Sequence, residues 1–249
     1  MASRAVLVTG GSRGIGAAIA AAFAAHGDRV AVHYGRRAQE AERVRASLPG
    51  TGHVAVGADL ADPDAVRAMV AGAAQGLGGL DVLVNNAGVF IGHPITDTSY
   101  EDWQRAWHDT LAVNLIGAAN ATWCAVPHMI EAGGGRIVNV SSRGAFRGEP
   151  SHPAYGASKA ALVAFGQSMA RALGPHGIAV ATVAPGWTRT EMAAERLADR
   201  EAEVVAETPM GRVATPEEVA AAVVFLASPE AGMASGSVVD VNGASFLRM

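Results

Sequence analysis

The sequence predicts a doubly wound α/β fold, a single seven-stranded parallel sheet with helices on both faces. Three observations carry that expectation. Short apolar runs alternate with helix-forming stretches from the N-terminus onward, which suits a parallel sheet buried on both faces. The first apolar run opens at once into a glycine-rich loop and an Ala-rich run, so strand, loop and helix follow without a gap. The 249 residues suffice to bury one large core, and one domain over 1–249 is expected.

Ala5-Val-Leu-Val8 gives the first strand, and Thr9-Gly-Gly-Ser-Arg-Gly-Ile-Gly16 the loop before the helix of Ala17 to Ala25. Backbone N–H groups at such a helix N-terminus receive a pyrophosphate, and glycine is needed where the chain turns tightly or touches the ligand. His26-Gly27 closes the helix and Arg29-Val-Ala-Val-His33 gives the second strand. Dinucleotide folds usually place an acid at the end of this strand, on the adenosine ribose. This chain has Tyr34-Gly35-Arg36-Arg37 there. Arg36, with Arg13 of the glycine loop, offers guanidinium where a 2′-phosphate would sit, each contact contributing roughly 1.5–3 kcal/mol. NADP(H) is therefore expected over NAD(H). Arg37 reads equally as a solvated loop charge.

Residues 40–48 read as a second helix and His53 to Leu60 as a third strand that ends in Asp59. Asp62-Pro63 caps a helix through Leu77, and Leu80 to Val84 forms a fourth strand feeding Asn85-Asn-Ala-Gly88. Thr98 or Ser99 caps a helix that carries Trp103, Trp107 and Asn114 and runs to Glu131. The two tryptophans, four apart, read as packing or subunit contact. A glycine loop and fifth strand end at Ser142, and Pro153 and Gly174-Pro175 bound a long helix. Ile178 to Val183 is the sixth strand, and residues 187–208 read as a cover over the ligand. Thr215-Pro-Glu-Glu218 caps a helix through Ala227, and Ser237 to Val241 is the last strand.

On the long helix Tyr155 and Lys159 stand four apart and share a face. A phenol titrates near pH ~10, so proton transfer near neutrality needs its anion stabilised by about 3 units, or ~4 kcal/mol. An ammonium one turn away supplies part of that. Alone, the pair also reads as a lysine snorkelling over a ring. The glycine loop and the strand pattern favour the chemical reading.

A net charge of −4 implies no basic surface for nucleic acid. The lone Cys124 lies in an apolar helical stretch, cannot form an intrachain disulfide, and fits a reduced cytoplasmic setting. No apolar run reaches membrane-spanning length, no charged segment with a cleavable apolar run precedes the first strand, and the eight histidines show no metal-ligand spacing. A soluble protein without a metal is expected.

The landmarks Thr9-Gly-x-x-x-Gly-x-Gly16, Asp59-Leu60, Asn85-Asn-Ala-Gly88, Asn114, Ser142, Tyr155-x-x-x-Lys159, Pro185-Gly186 with Thr190, and Val241-Asn-Gly243 resemble the short-chain dehydrogenase/reductase family in order and spacing. The resemblance spans Thr9 to Gly243 and includes members acting as 3-oxoacyl-carrier-protein reductases. It implies a Rossmann fold and an oxidoreductase of carbonyls and secondary alcohols. It assigns Tyr155 as general acid or base and Ser142 as the donor to the substrate oxygen. Lys159 would hold the nicotinamide ribose and lower the Tyr155 pKa, and Asn114 would hold a water behind Lys159. Gly10, Ser12, Arg13, Ile15 and Gly16 would line the phosphates, Asp59 and Leu60 the adenine, and Asn86, Ala87 and Gly88 the adenosine side and ribose. Pro185, Gly186, Thr188 and Thr190 would fix the carboxamide. Homotetramers or homodimers are implied too.

Three departures from the family stand out: about one extra turn between Gly88 and Asn114, charged Arg143, Arg147, Glu149 and Arg189 around the pocket, and a changed carrier-docking surface. Where carrier-protein reductases hold basic docking residues, this chain has Gly133 and His176, with Arg136 and Arg171 nearby. That disfavours an acyl carrier protein as partner. A carbonyl reductase on a small molecule is thus expected, with 3-oxoacyl-carrier reduction as the alternative and a cofactor-sensing module without catalysis as the distant one. His152, just before the long helix, is a further candidate for substrate contact.

Overall fold

The computed structural model describes residues 3–191, 193–194 and 200–248. The strands are β1 (Ala5–Val8), β2 (Arg29–Tyr34), β3 (Val54–Gly57), β4 (Val82–Asn85), β5 (Gly135–Val140), β6 (Ile178–Pro185) and β7 (Val238–Val241). They form one sheet in the order β3-β2-β1-β4-β5-β6-β7, each neighbouring pair parallel. The order reverses between β1 and β4, and in open sheets of this kind the crevice beyond the strand C-termini at that point receives ligands.

Side chains alternate across β1, so the strand feeds two cores. Val6 and Val8 pack with Ile19 and Phe23 of α1 (Gly14–Ala25) and with Val219 and Val223 near the C-terminus. Ala5 and Leu7 turn to the other face, against Val66, Met69 and Val70 of α3 (Pro63–Leu77) and Ala121 and Ala125 further on. Between α1 and α3, α2 (Ala38–Ser47) follows the Arg36-Arg37 turn.

Several boundaries differ from the sequence reading. The third strand stops at Gly57, because Asp59 leaves the ladder and its Oδ1 accepts from Ala61 N at 3.0 Å in a tight turn. Ser99, rather than Thr98, caps α4 (Tyr100–Leu111) by accepting from Asp102 N. The expected single helix to Glu131 is interrupted: a π-helical segment, Ala112–Gly117, separates α4 from α5 (Ala118–Glu131) and holds Asn114. Asn114 is the physical reason visible in the structure. Its Oδ1 accepts from Val89 N at 2.7 Å and its Nδ2 donates to Val89 O and Ser158 Oγ, and the widened turn lets the amide reach that loop.

After β5 a short turn, α6 (Gly144–Arg147), leads to α7 (Pro153–Leu173), the helix of Tyr155 and Lys159. Of the expected cover at 187–208, residues 192 and 195–199 lie outside the described residues; its described end includes α8 (Glu201–Ala206). Thr215 caps α9 (Pro216–Leu226) with a reciprocal bond to Glu218. Trp103 and Trp107 pack against each other and against buried His93, as packing residues do.

Candidate active site

A cavity of about 800 Å³ runs along the C-terminal edge of the sheet, touching the residues that follow β1, β3, β4, β5 and β6. Every residue expected to hold a cofactor lines it, from Gly10 and Arg13 through Arg36, Asp59 and Asn86 to Thr190. Ser142, Tyr155 and Lys159 line it as well. Asn114 is the exception, lying buried behind the wall.

At one end the glycine loop presents α1. Gly10 and Gly14 take φ +64° and +53°, and a Cβ at Gly16 would stand 2.2 Å from Gly10 O, so no larger residue fits there. Asp62, Ser99 and Thr215 cap their helices with side-chain oxygens. Arg13 at the α1 N-cap makes no side-chain cap bond, and no acid stands in the first turn. The leading N–H groups of α1 thus remain for a ligand at the cavity, a fit to a pyrophosphate.

Two residues to which the sequence reading gave no role hold this loop. Thr9 Oγ1 donates to Val84 O and accepts from Asn86 N and Ala87 N. Buried His33 accepts from Gly10 N at 2.9 Å through Nδ1 and lies 3.1 Å from Ala58 O through Nε2, which fixes the Nε2–H tautomer. Burial pushes the His33 pKa down, in keeping with a neutral ring. A polar residue closing an apolar strand was the signal available. Asn86 proves structural as well, its Nδ2 donating to Thr9 O and Gly10 O.

The other end carries Ser142, Tyr155 and Lys159, the groups expected to transfer the proton. Ser142 Oγ accepts from Gly144 N and is hydrogen-bonded to Tyr155. Lys159 is buried, donates from Nζ to Val140 O at 2.8 Å, and lies 5.8 Å from the centroid of the Tyr155 ring. Ser141 Oγ donates to Lys159 O, and Ser158 Oγ donates to Tyr155 O while accepting from Asn114. Both Asn114 amide hydrogens are therefore committed, leaving only Oδ1 capacity for a water.

The expected depression of the Tyr155 pKa is absent here. Burial pushes the phenol up to about 12, the Glu149 charge adds to the rise, and the Ser142 hydrogen bond opposes it. Part of the tyrosine still faces the cavity, so the upward direction rests on the apolar wall rather than on complete enclosure. Burial also brings Lys159 down to about 8. Its ammonium is held on Val140 O, and desolvation outweighs it at the phenol.

This lysine makes stability pH-dependent. Below pH 8 it is charged folded and unfolded, and the fold bears the whole desolvation cost. As pH rises from about 8 to 10.5 the folded lysine is neutral first, so stability rises, by about 3 kcal/mol in all. Tyr155 acts in the opposite sense, its contribution being lost between pH 10 and about 12. From pH 8 to 10, cofactor-free protein is expected to gain about 5 °C in Tm relative to Lys159→Met. Parallel Tm curves for the two proteins across this range would contradict the buried-charge assignment.

Beside these three residues, Phe90 lines the cavity and packs edge-on to Tyr155 at 4.5 Å. His152 stacks on Phe90 at 3.7 Å and is not itself among the residues lining the cavity. Of the flanking charges, Arg143 and Glu149 line the cavity; Arg147 and Arg189 pair instead with Glu207 and Glu201. Among the described residues no group of three or more His, Cys, Asp or Glu is placed to hold a metal ion, and no helix is long and apolar enough to cross a membrane.

Comparison with known proteins agrees with this architecture. The family model described as enoyl-(acyl carrier protein) reductase matches residues 10–244. Cis-4-hydroxycyclohexanecarboxylate dehydrogenase of Sinomonas cyclohexanicum is 40% identical over 97% of this chain and 96% of its own length. A 3-oxoacyl-(acyl-carrier-protein) reductase of Staphylococcus aureus is 34% identical over 98% of this chain and 99% of its own. The crystal structure of a short chain dehydrogenase from Burkholderia cenocepacia, in complex with NADP, superposes with a TM-score of 0.87 at 40% identity, covering 97% of each chain. With a parallel seven-stranded sheet and matches that run nearly end to end, the chain belongs to the short-chain dehydrogenase/reductase family.

Proposed function

We propose that this protein is an NADP(H)-dependent oxidoreductase that reduces a carbonyl group of a small molecule, or oxidises the corresponding secondary alcohol. One observation carries the reading: Ser142, Tyr155 and Lys159 line one end of a cavity whose other end is the uncapped N-terminus of α1. The Gly10–Gly16 loop and α1 would hold the pyrophosphate, Arg13 and Arg36 the 2′-phosphate, and Pro185 to Thr190 the carboxamide. The bound cofactor supplies or takes the hydride. Tyr155 holds the proton that goes to the carbonyl oxygen, Ser142 orients that oxygen, and Lys159 holds the ribose and stabilises the phenolate. A Cβ at Gly88 would come 3.5 Å from Lys159 Nζ, so the chain leaves the ammonium open on that side. The NADP in the Burkholderia structure supports the cofactor assignment.

The Staphylococcus relative favours 3-oxoacyl-carrier reduction as the second reading. Arg136 weighs against it, since its guanidinium is engaged with Ser228 O and Gly135 O rather than free for an acidic carrier. A sensing module without turnover is disfavoured by the complete Ser/Tyr/Lys set. Exposed Ile116 and Trp123 on the α5 side support assembly into dimers or tetramers.

The test is oxidation of NADPH, followed by absorbance, across ketones, keto acids, diketones, quinones and acetoacetyl thioesters. Turnover of a free ketone or keto acid well above the thioester is expected. Preference for the thioester would move the assignment to carrier-bound substrates, and NADPH binding with no turnover on any of them would favour the sensing module.

A further inference from the structure

One charged group in the cavity has no task in this chemistry. Arg143 directly follows Ser142 and lines the same cavity, yet only 4% of its surface is exposed. Its N–H donates to Pro185 O at 2.9 Å, which fixes the residue between the ends of β5 and β6. The guanidinium is poorly matched. Nη2 meets Glu207 Oε2 at 3.6 Å, beyond the roughly 2.7–2.9 Å of a charge-assisted hydrogen bond. Nη1 is buried without a hydrogen-bond partner among the described residues. Buried charges are normally paired and their donors satisfied, so an incompletely satisfied guanidinium beside a cavity points to a ligand.

The surrounding charge says which kind. Glu207 is shared, because Arg147 Nη1 approaches the same oxygen at 3.3 Å, and it is 43% exposed in the turn after α8. Glu149, the other carboxyl of the cluster, is driven toward its neutral acid by burial, though both arginines oppose this. Two guanidiniums therefore share one solvent-screened carboxylate, and neither forms an ion pair with Glu149. A polyol would add a hydrogen bond and leave the positive charge uncompensated, whereas a carboxylate supplies both.

We infer that Arg143 is a substrate-binding residue, and that the substrate of the proposed reductase carries a carboxylate that seats on its guanidinium while the reacting carbon lies at Ser142 and Tyr155. This rests on the reductase reading for the position of the reacting carbon. The anion subsite itself does not.

The experiment is calorimetric titration of the protein, with and without NADP⁺, using acetate and benzoate against the isosteric acetamide and benzamide. At least one acid is expected to bind about 10- to 100-fold more tightly than its amide. That ratio should fall toward one in Arg143→Gln and be partly restored in Arg143→Lys, which keeps the charge without the planar fork. In turnover, the kcat/KM ratio of a keto acid to its methyl ester should fall likewise, mainly through KM. Equal binding of acids and amides by the wild-type protein would overturn the inference, whatever the folding of the variants. Turnover of neutral ketones without acid preference would overturn it and leave the reductase reading standing. Acid-selective binding with no turnover would support the subsite and count against the reductase.

Discussion

Tyr155→Phe is expected to lower kcat for carbonyl reduction by about 10²- to 10⁴-fold, the usual contribution of a positioned general acid, while NADPH binding stays within about threefold. The substitution removes one hydroxyl. The ring keeps its edge contact with Phe90 at 4.5 Å, and Lys159 keeps its bond to Val140 O, so the cavity wall should not move. Only the proton and the bond to Ser142 are lost. With the phenol pushed up to about 12 in the cofactor-free site, Tyr155 is protonated throughout the neutral range and ready for reduction. Oxidation needs the phenolate and should therefore speed up with rising pH, until the Lys159 ammonium is lost around pH 8. Steady-state kinetics in both directions, with binding followed separately by fluorescence, checks both statements. Retention of kcat within threefold would place the proton donor elsewhere.

The sheet was legible because its strands are short apolar runs ended by glycine, and β1 with Thr9–Gly16 declares its own context. Asp62 and Thr215 mark helix starts that the structure reproduces to the residue, since a cap is a local hydrogen bond. That the residues expected at the cofactor line one cavity was legible for a different reason, the resemblance in landmark order. What escaped is tertiary. The π segment at Asn114 exists because an amide reaches across to Val89, 25 positions away in sequence. His33 is an ordinary strand residue until Gly10 and Ala58 fold around it. The pKa of Tyr155 could not be read from a lysine four residues on, because burial of both side chains outweighs their proximity. Arg143 was noticed as a flanking charge, but its weak pairing depends on Glu207, which arrives from a distant helix end.

The double substitution Arg13→Ala with Arg36→Ala is expected to reduce the ratio of kcat/KM for NADPH over NADH by about 100-fold. Each guanidinium alone should account for about tenfold, near the lower limit for charge-assisted contacts because Arg36 is exposed and screened by solvent. Both arginines line the cavity, Arg13 in the loop after β1 and Arg36 in the turn after β2, and nothing acidic stands at Tyr34-Gly35 to repel a 2′-phosphate. Arg37→Ala should change the ratio by less than about threefold, since that guanidinium is exposed and already faces Glu40 at 3.9 Å. Raising ionic strength should erode the NADPH advantage of the wild-type protein, because the 2′-phosphate is the charge that NADH lacks. A wild-type ratio near one would refute the cofactor preference outright. A large ratio that survives the double substitution would instead assign the phosphate to backbone N–H groups of the glycine loop, where no side-chain change removes the donors.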